Sequence, residues 1–423
     1  MVKSSKSESR LPVLGINSLG RIGKLSLWHH VGRKYFKEIV VNLGRDVGTG
    51  MDTIARLIEA DGTYGLLHRF LYGIKAQPVI QITDNKNGKM IIDGIPVTIL
   101  REERNPLNIP WRQYGADIVV DCSGNFKDPT VPVDDKKGSI RGHLNGGAKV
   151  VIHSAPFKIN NKALSTPDDT TTLIYGINHT AFDRKKHLLV SAASCTTTAL
   201  AHMVKPLLGN EETSTILTAS MSTIHAVTNS QSVLDKLPKA GEKDIRKTRS
   251  ILNNIILTST GAAKTLIEVI PEVKNIGFMG DSIRVPTNTL SLIILNATFQ
   301  ARQNEAGETA SINTKKLNEI YRKVAQDNLL VRFTMQQNVS TDLIGEDAAV
   351  IIEGQFNHTR TAYIPVDLSH IPNLPEGLLH GIGDRMLKVP VVHAKIFGWY
   401  DNEYGSYTNR MGDLTVYIHK NIQ

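Results

Sequence analysis

The chain has 423 residues, 41% apolar and 21% charged, which is ordinary for a globular protein of two to three domains with room for real cores. Two cysteines in this length, Cys122 and Cys195, exclude a disulfide framework and fit a reducing compartment, so a cytoplasmic protein is expected. Lys and Arg exceed Asp and Glu by 49 − 40 = 9, a balance that suits anionic small ligands such as phosphates. No block of five or more basic residues occurs, which makes a dedicated nucleic-acid surface the weaker reading. The opening MVKSSKSESR lacks the apolar run of a signal peptide and reads as a frayed tail, and no apolar stretch reaches the 18 residues a membrane helix needs.

Leu11–Ile16 reads as a strand, Asn17–Gly23 as a glycine-bearing turn, Lys24–His30 as a helix and Glu38–Leu43 as a second strand. This is the start of a doubly wound dinucleotide-binding fold, in which glycines let the backbone approach a pyrophosphate on the helix N-terminus. The usual G-x-G-x-x-G frame would put glycine at position 18; Ser18 stands there, leaving Gly20 and Gly23. The carboxylate that such folds direct at the ribose 2′-hydroxyl would fall near Leu43, which accepts no hydrogen bond. Arg45 follows; it either holds a 2′-phosphate, which leans the cofactor toward NADP, or is a solvated loop charge. Strand-like runs Gln77–Thr83 and Lys89–Leu100 flank a hairpin signal, Asp84–Gly88. Ala116–Cys122 is a buried strand ending in Ser123 and Gly124, where the cofactor crevice of such a sheet lies; Cys122, with no basic partner in view, reads as structural. Gly138–Gly147 reads as a helix and Lys149–His153 as a strand.

The apolar run His187–Ala193 reads as a strand ending at Ser194, and the residues from Thr196 as a helix. Cys195 then lies at a helix N-terminus, where the dipole and backbone N–H groups favour a thiolate; the alternative is a small buried hydrophobe. Beyond it, Thr215–Ile224 and Ile283–Phe299 are strand-like, and Thr248–Leu257 and Thr314–Gln326 helical, which suggests a second domain of α+β type. Gln355–Pro390 reads as an insertion or long loop, and Trp399–Arg410 precedes a final helix, Met411–Ile418. The expected architecture is therefore α/β: a Rossmann-type domain over 1–193, completed by a C-terminal helix over 401–423, and an α+β catalytic, oligomer-forming domain over 194–400 with an insertion near 355–390. His225, at a strand end 30 residues after Cys195, could serve as base to the thiol. Thr258–Lys264 has the shape of an anion-binding turn into a helix. Arg284 is suited to bidentate phosphate recognition, its other reading being a surface strand charge.

The motifs GINSLGRIGK, HLNGGAKVVIHSAP, SAASCTTT, STIHAVTNSQSVLDK, TSTGAAK, IRVPT and WYDNEYGSYTNRMGDL run in order from residue 15 to 414. In this the chain resembles the phosphorylating glyceraldehyde-3-phosphate dehydrogenases, with erythrose-4-phosphate dehydrogenase as a sibling. The resemblance implies that Cys195 attacks the aldehyde and His225 acts as its base; the residues alone already suggest an ion pair of the two at rest. A thiohemiacetal then yields a hydride to NAD or NADP, and inorganic phosphate attacks the thioester. It implies Thr228 and Arg284 for the substrate phosphate, Ser194, Thr196, Thr260 and Gly261 for inorganic phosphate, and Arg249 near both. On the cofactor side it implies Gly20, Arg21, Ile22 and Gly23 at the pyrophosphate turn and Asn402 on the nicotinamide amide; Asn17 in that turn, and Arg45, Ser123 and Gly124 at the strand ends, complete the expected cofactor-binding set by their places in the fold. A homotetramer is implied, and no metal. The departures are Ser18, Leu43, Ala192, Thr198-Ala199, extra residues between Ser154 and Asn178, and Gln355–Pro390. They leave room for another reading, a catalytically retired relative that binds nucleic acid or protein, which predicts salt-sensitive RNA or DNA binding without turnover.

Overall fold

Every residue of Val13–Asn17 (β1) is buried, as a strand covered on both faces must be. The computed structural model to which it belongs describes residues 11–303, 309, 310, 312–375, 377 and 385–423. The tail 1–10 and positions 376 and 378–384 of the Gln355–Pro390 segment lie outside those residues. The chain divides into two compact units, residues 1–195 with 403–423, and residues 196–402.

In the first unit β1 runs parallel to Glu38–Asn42 (β2) on one side and to Ala116–Asp121 (β6) on the other. With Ile80–Asp84 (β3), Lys89–Ile92 (β4), Ile95–Leu100 (β5), Val150–His153 (β7), Thr170–Thr172 (β8) and Leu189–Ser191 (β9), the sheet order is β8-β9-β7-β6-β1-β2-β5-β4-β3. Only the β5-β4-β3 edge is antiparallel. The sheet order reverses at β1, so the carboxyl ends of β1, β2 and β6 form the crevice where open α/β sheets bind ligands. One face packs against Arg21–Arg33 (α1), Met51–Glu59 (α2) and Arg410–Ile422 (α6), with Leu25, Trp28, Ile54, Met411 and Ile418 in one core. The other face packs Val40, Val119 and Val151 against Trp111 and Ile140. Covering on both faces makes this a doubly wound domain, as expected.

The second unit is a mixed sheet: Ile216–His225 (β10), Ile256–Ser259 (β11), Gly277–Arg284 (β12), Ser291–Gln300 (β13), Val331–Thr334 (β14), Val350–Glu353 (β15), His358–Asp367 (β16) and Met386–Tyr400 (β17). The order is β11-β12-β10-β13-β17-β15-β14, with β16 on β17. Helices Cys195–Leu208 (α3) and Thr314–Asp327 (α5) are tied together by a hydrogen bond of 2.7 Å from Tyr321 Oη to the Met203 carbonyl. Strand β13 alternates buried and half-buried residues, the pattern of a sheet packed on one side. Among the described residues no helix is long and apolar enough to cross a membrane.

Several local expectations are corrected. Lys89–Leu100 is two strands, because Asp93 (φ +47°) and Gly94 (φ +80°) make a left-handed two-residue turn between them. Ile283–Phe299 is likewise broken, by the Val285–Leu290 connection that holds a proline, between β12 and β13. Gly138–Gly147 gives only one helical turn, Gly142–Asn145. Thr248–Leu257 is no helix: it ends the 3-10 turn Ile245–Thr248 and begins β11. Gln355–Pro390 is not a bare loop, since it holds β16, which pairs with β17 from His358↔Lys395 to Asp367↔Met386. The final helix begins at Arg410, after a π-helical turn, Tyr404–Asn409. Helix α3 begins at Cys195 itself.

Candidate active site

In the first unit, hydrogen bonds lace the crevice ends of three adjacent strands. Asn42 Nδ2 donates to Asn17 Oδ1 (2.9 Å), and Asn17 Nδ2 donates to Asp121 Oδ2 (3.0 Å). Asp121 is fully buried and also accepts from the Ser123 amide (2.9 Å) and hydroxyl (2.7 Å). Burial alone would raise its pKa; His143 and His153 overcome this and hold it well below the usual carboxylate range. Trp111 donates to His143 Nδ1 (3.0 Å), so the proton of His143 sits on Nε2 and is given to Asp121 (2.9 Å). The same burial, beside the Asp121 charge, pushes the Cys122 thiol far up and makes it a poor nucleophile.

The turn into α1 is built for close approach. Ser18 takes φ +82°, a conformation that costs a non-glycine residue about 1–2 kcal/mol. A Cβ on Gly23 would lie 2.0 Å from the Ser18 carbonyl, so only glycine lets the helix start this near the turn. A Cβ on Gly20 would meet only Ser18 Oγ, at 3.8 Å, leaving open backbone at the helix N-terminus. Gly124 (φ +66°) is equally open, while Ile22 packs against the core. Arg21 differs from the simple picture of a phosphate-binding side chain. Its guanidinium is paired with Asp61 (2.5 Å) and with Glu403, and Lys24 reaches the same Asp61 (2.6 Å). Burial would raise the Asp61 pKa; hydrogen bonds from Lys24 and the Thr63 and Tyr64 amides, with the Arg21 charge, hold it at about 2. The backbone of Arg21 is thus the part left to a pyrophosphate. Asp61 and Glu403 were not among the expected site residues; Glu403 lies within the WYDNEYG motif, but its partner is 382 residues away in sequence.

Cys195 is reached by a sharp turn from β9. Ala193 takes φ +56°, its amide donates to Ser191 Oγ (3.1 Å), and its carbonyl accepts from Tyr407 Oη (3.1 Å). Ser194 and Cys195 follow, both half-buried, the cysteine in no disulfide and the first residue of α3. The anchored turn therefore offers the thiol at a helix N-terminus, as expected.

In the second unit, strands β10 and β12 run parallel with His225 in register with Arg284. Arg284 Nη1 lies 2.6 Å from His225 Nδ1 and 2.9 Å from the Ala226 carbonyl, while Nδ1 lies 2.7 Å from that carbonyl. A guanidinium cannot accept, so two tautomers compete. With the proton on Nδ1 the ring donates to Ala226 and keeps Nε2 as a base; with Nδ1 bare, Arg284 donates to it and Nε2 carries the proton. An anion that draws off the donors of Arg284 favours the first. Burial and then Arg284 lower the His225 pKa to about 3. With that shift the ring is neutral at pH 7.

Tyr400 Oη bridges Thr196 Oγ1 (2.9 Å) and Thr223 Oγ1 (2.8 Å), tying the first turn of α3 to β10. Ser291 Oγ donates to Asn402 Oδ1 (3.0 Å) and accepts from the Ala226 amide (3.1 Å), which fixes the Asn402 amide. Tyr400 and Ser291 were also missed; both bridge segments remote in sequence. Thr228 is held locally by Ser230 and Gln231. Thr260 accepts from the Ala262 amide (3.2 Å), and Gly261 caps Ala262–Val269 (α4), the expected turn into a helix. Arg249 is exposed and its guanidinium is paired with Asp235 (2.9 Å).

A family model described as glyceraldehyde 3-phosphate dehydrogenase, NAD binding domain, matches residues 13–129, and its C-terminal-domain counterpart matches 194–365. Glyceraldehyde-3-phosphate dehydrogenase of Streptomyces coelicolor is 32% identical over 415 residues, covering 96% of this chain and 98% of the relative. Glyceraldehyde-3-phosphate dehydrogenase 1 of Bacillus cereus is 30% identical over 407 residues, with 96% and 98% covered. The Geobacillus stearothermophilus enzyme of that name is 30% identical over 407 residues, with 96% and 97% covered.

Proposed function

The chain belongs to the glyceraldehyde-3-phosphate dehydrogenase family, and from that premise we propose that it oxidises glyceraldehyde 3-phosphate with NAD or NADP and inorganic phosphate, in the cytoplasm. One observation supports the reading: parallel pairing of β10 and β12 makes an imidazole, His225, and a guanidinium, Arg284, register partners. The first unit fits a dinucleotide, since its glycine turn leaves open backbone at a helix N-terminus and its crevice lies where the strand order reverses.

In the proposed reaction Cys195 adds to the aldehyde, its sulfur to the carbon and the proton lost by the thiol to the oxygen, which gives the thiohemiacetal hydroxyl. His225 accepts the hydroxyl proton of the resulting thiohemiacetal through Nε2 as the carbon is oxidised. The nicotinamide, when bound, supplies the hydride acceptor. Asn402, whose Oδ1 is taken by Ser291, is left with its NH2 to donate to a carboxamide. Arg284 and Thr228 hold the phosphate of the substrate. Ser194, Thr196, Thr260 and Gly261 hold the inorganic phosphate that displaces the acyl group from sulfur.

The test is an assay of the purified protein with both cofactors and with three- and four-carbon phosphorylated aldehydes, with and without phosphate. Phosphate-dependent reduction of the cofactor by glyceraldehyde 3-phosphate is expected. Absence of turnover with either cofactor would refute the proposal. A homotetramer is proposed as well: Leu234, Leu237, Ile255 and Leu257 are exposed, Leu237 by 90%, which is costly on a monomer surface. Light scattering should give four chain masses, and a monomer at micromolar concentration would contradict it.

A further inference from the structure

Strands β1 and β2 end side by side at Asn17 and Asn42, and a cleft of about 490 Å³ opens there, bounded also by Ser123. Four cationic side chains line it, Arg45, Arg104, Lys136 and Lys137, and among the described residues no carboxylate does. Leu43 lines it too, at the place where a dinucleotide fold usually turns an acid toward the ribose. None of the four cations is in an ion pair among the described residues. Neighbouring Arg101 is neutralised by Asp46 at 3.5 Å, and Arg21 by Asp61 and Glu403. Unneutralised cations gathered around one cleft repel one another, and an anion between them relieves that repulsion.

The wall that bears the lysines is a built turn. The Lys137 amide donates to Asp135 Oδ1 (2.8 Å) and the Gly138 amide to the Asp135 carbonyl (2.9 Å). Gly138 (φ +87°) lies so near Phe126 that a Cβ would stand 2.8 Å from the ring. Arg104 Nε donates to the Gly44 carbonyl (3.2 Å), which leaves both terminal nitrogens for a ligand. Lys136 and Lys137 also lie beyond residue 129, the last that the NAD-binding family model matches.

We propose that this cleft is a phosphomonoester clamp for the 2′-phosphate of NADP, with Lys136 and Lys137 supplying two of its four cations. The inference rests on the dinucleotide reading above and adds the residues that choose between the two nucleotides. Point charges from the lysines attract the phosphate dianion, and the planar guanidinium of Arg104 can grip two of its oxygens. Leu43 imposes no like charge on the 2′ position.

The test is calorimetric titration of the whole protein with adenosine 2′,5′-bisphosphate, adenosine 3′,5′-bisphosphate and adenosine 5′-monophosphate. The 2′,5′-bisphosphate is expected to bind at least about tenfold more tightly than the other two. In the Lys136→Gln/Lys137→Gln double variant that preference should fall to about two- to threefold, with affinity for the monophosphate unchanged. A 2′,5′-bisphosphate that binds no better than its 3′,5′-isomer overturns the clamp, as does a preference the double variant leaves intact. Displacement of the 2′,5′-bisphosphate by equal concentrations of inorganic phosphate also overturns it, since the cleft would then be a general anion site. If the monophosphate binds and only the preference is missing, the clamp alone falls. If no adenosine nucleotide binds, the dinucleotide reading falls with it.

Discussion

Cys195→Ser is expected to lower turnover by at least about 10³–10⁴-fold while leaving the fold and cofactor binding intact. The change is nearly isosteric, and what positions residue 195 is backbone: the φ +56° turn at Ala193 and the Tyr407 hydroxyl on its carbonyl. Serine keeps both. It loses the sulfur anion that a helix N-terminus stabilises, and a hydroxyl there stays protonated at neutral pH. Cys122→Ser is the control, because that thiol is pushed far up by burial and by Asp121. It should hold turnover within about threefold and act on stability alone. Cofactor reduction followed at 340 nm, with melting curves for both variants, checks the pair. Undiminished activity in Cys195→Ser would refute the nucleophile.

His225→Asn is expected to lower kcat by about 10²–10⁴-fold, the usual worth of a positioned general base. Asparagine can keep a donor to the Ala226 carbonyl, so the strand end stays in place while Nε2 is removed. The pH profile gives a second reading. A base works only when neutral, and burial and Arg284 lower the pKa of this one to about 3. The base form of the free protein is then present throughout the neutral and mildly acid range, and protonation removes it only as pH falls toward 3. The kcat/KM of the native protein should show no loss between pH 7 and 5 traceable to His225. A limb near pH 6.5 that vanishes in His225→Asn would show an ordinary imidazole and contradict the geometry around Arg284.

The elements that carry these residues were legible where local chemistry decides them. The strand–glycine turn–helix unit at Val13–Arg33 follows from an apolar run, two glycines and a helical period. That Cys195 opens a helix and His225 ends a strand also shows in the apolar spacing. Thr248–Leu257 misled because its apolar residues do not share one face: Ile251 and Ile256 are buried, while Leu252, Ile255 and Leu257 are exposed. Helical spacing there pointed to burial that this chain alone does not supply. Gln355–Pro390 misled for the opposite reason, since its prolines and glycines masked a strand that pairs along all of its length with β17. What no local pattern could give is pairing at long range. The neutralisation of Arg21 by Asp61 and Glu403, the bridge from Tyr400 to Thr196 and Thr223, and the gathering of Arg45, Arg104, Lys136 and Lys137 all join segments far apart in sequence. Arg21 and Arg249 show the consequence: each is cationic in the expected place, and each spends its charge on a neighbouring carboxylate.

The most direct measurement is mass spectrometry of peptides from protein incubated with glyceraldehyde 3-phosphate and oxidised cofactor in phosphate-free buffer. The proposed chemistry predicts an acyl adduct on the peptide containing Cys195, discharged when inorganic phosphate is added. An unmodified Cys195, or an adduct that phosphate does not remove, would contradict it.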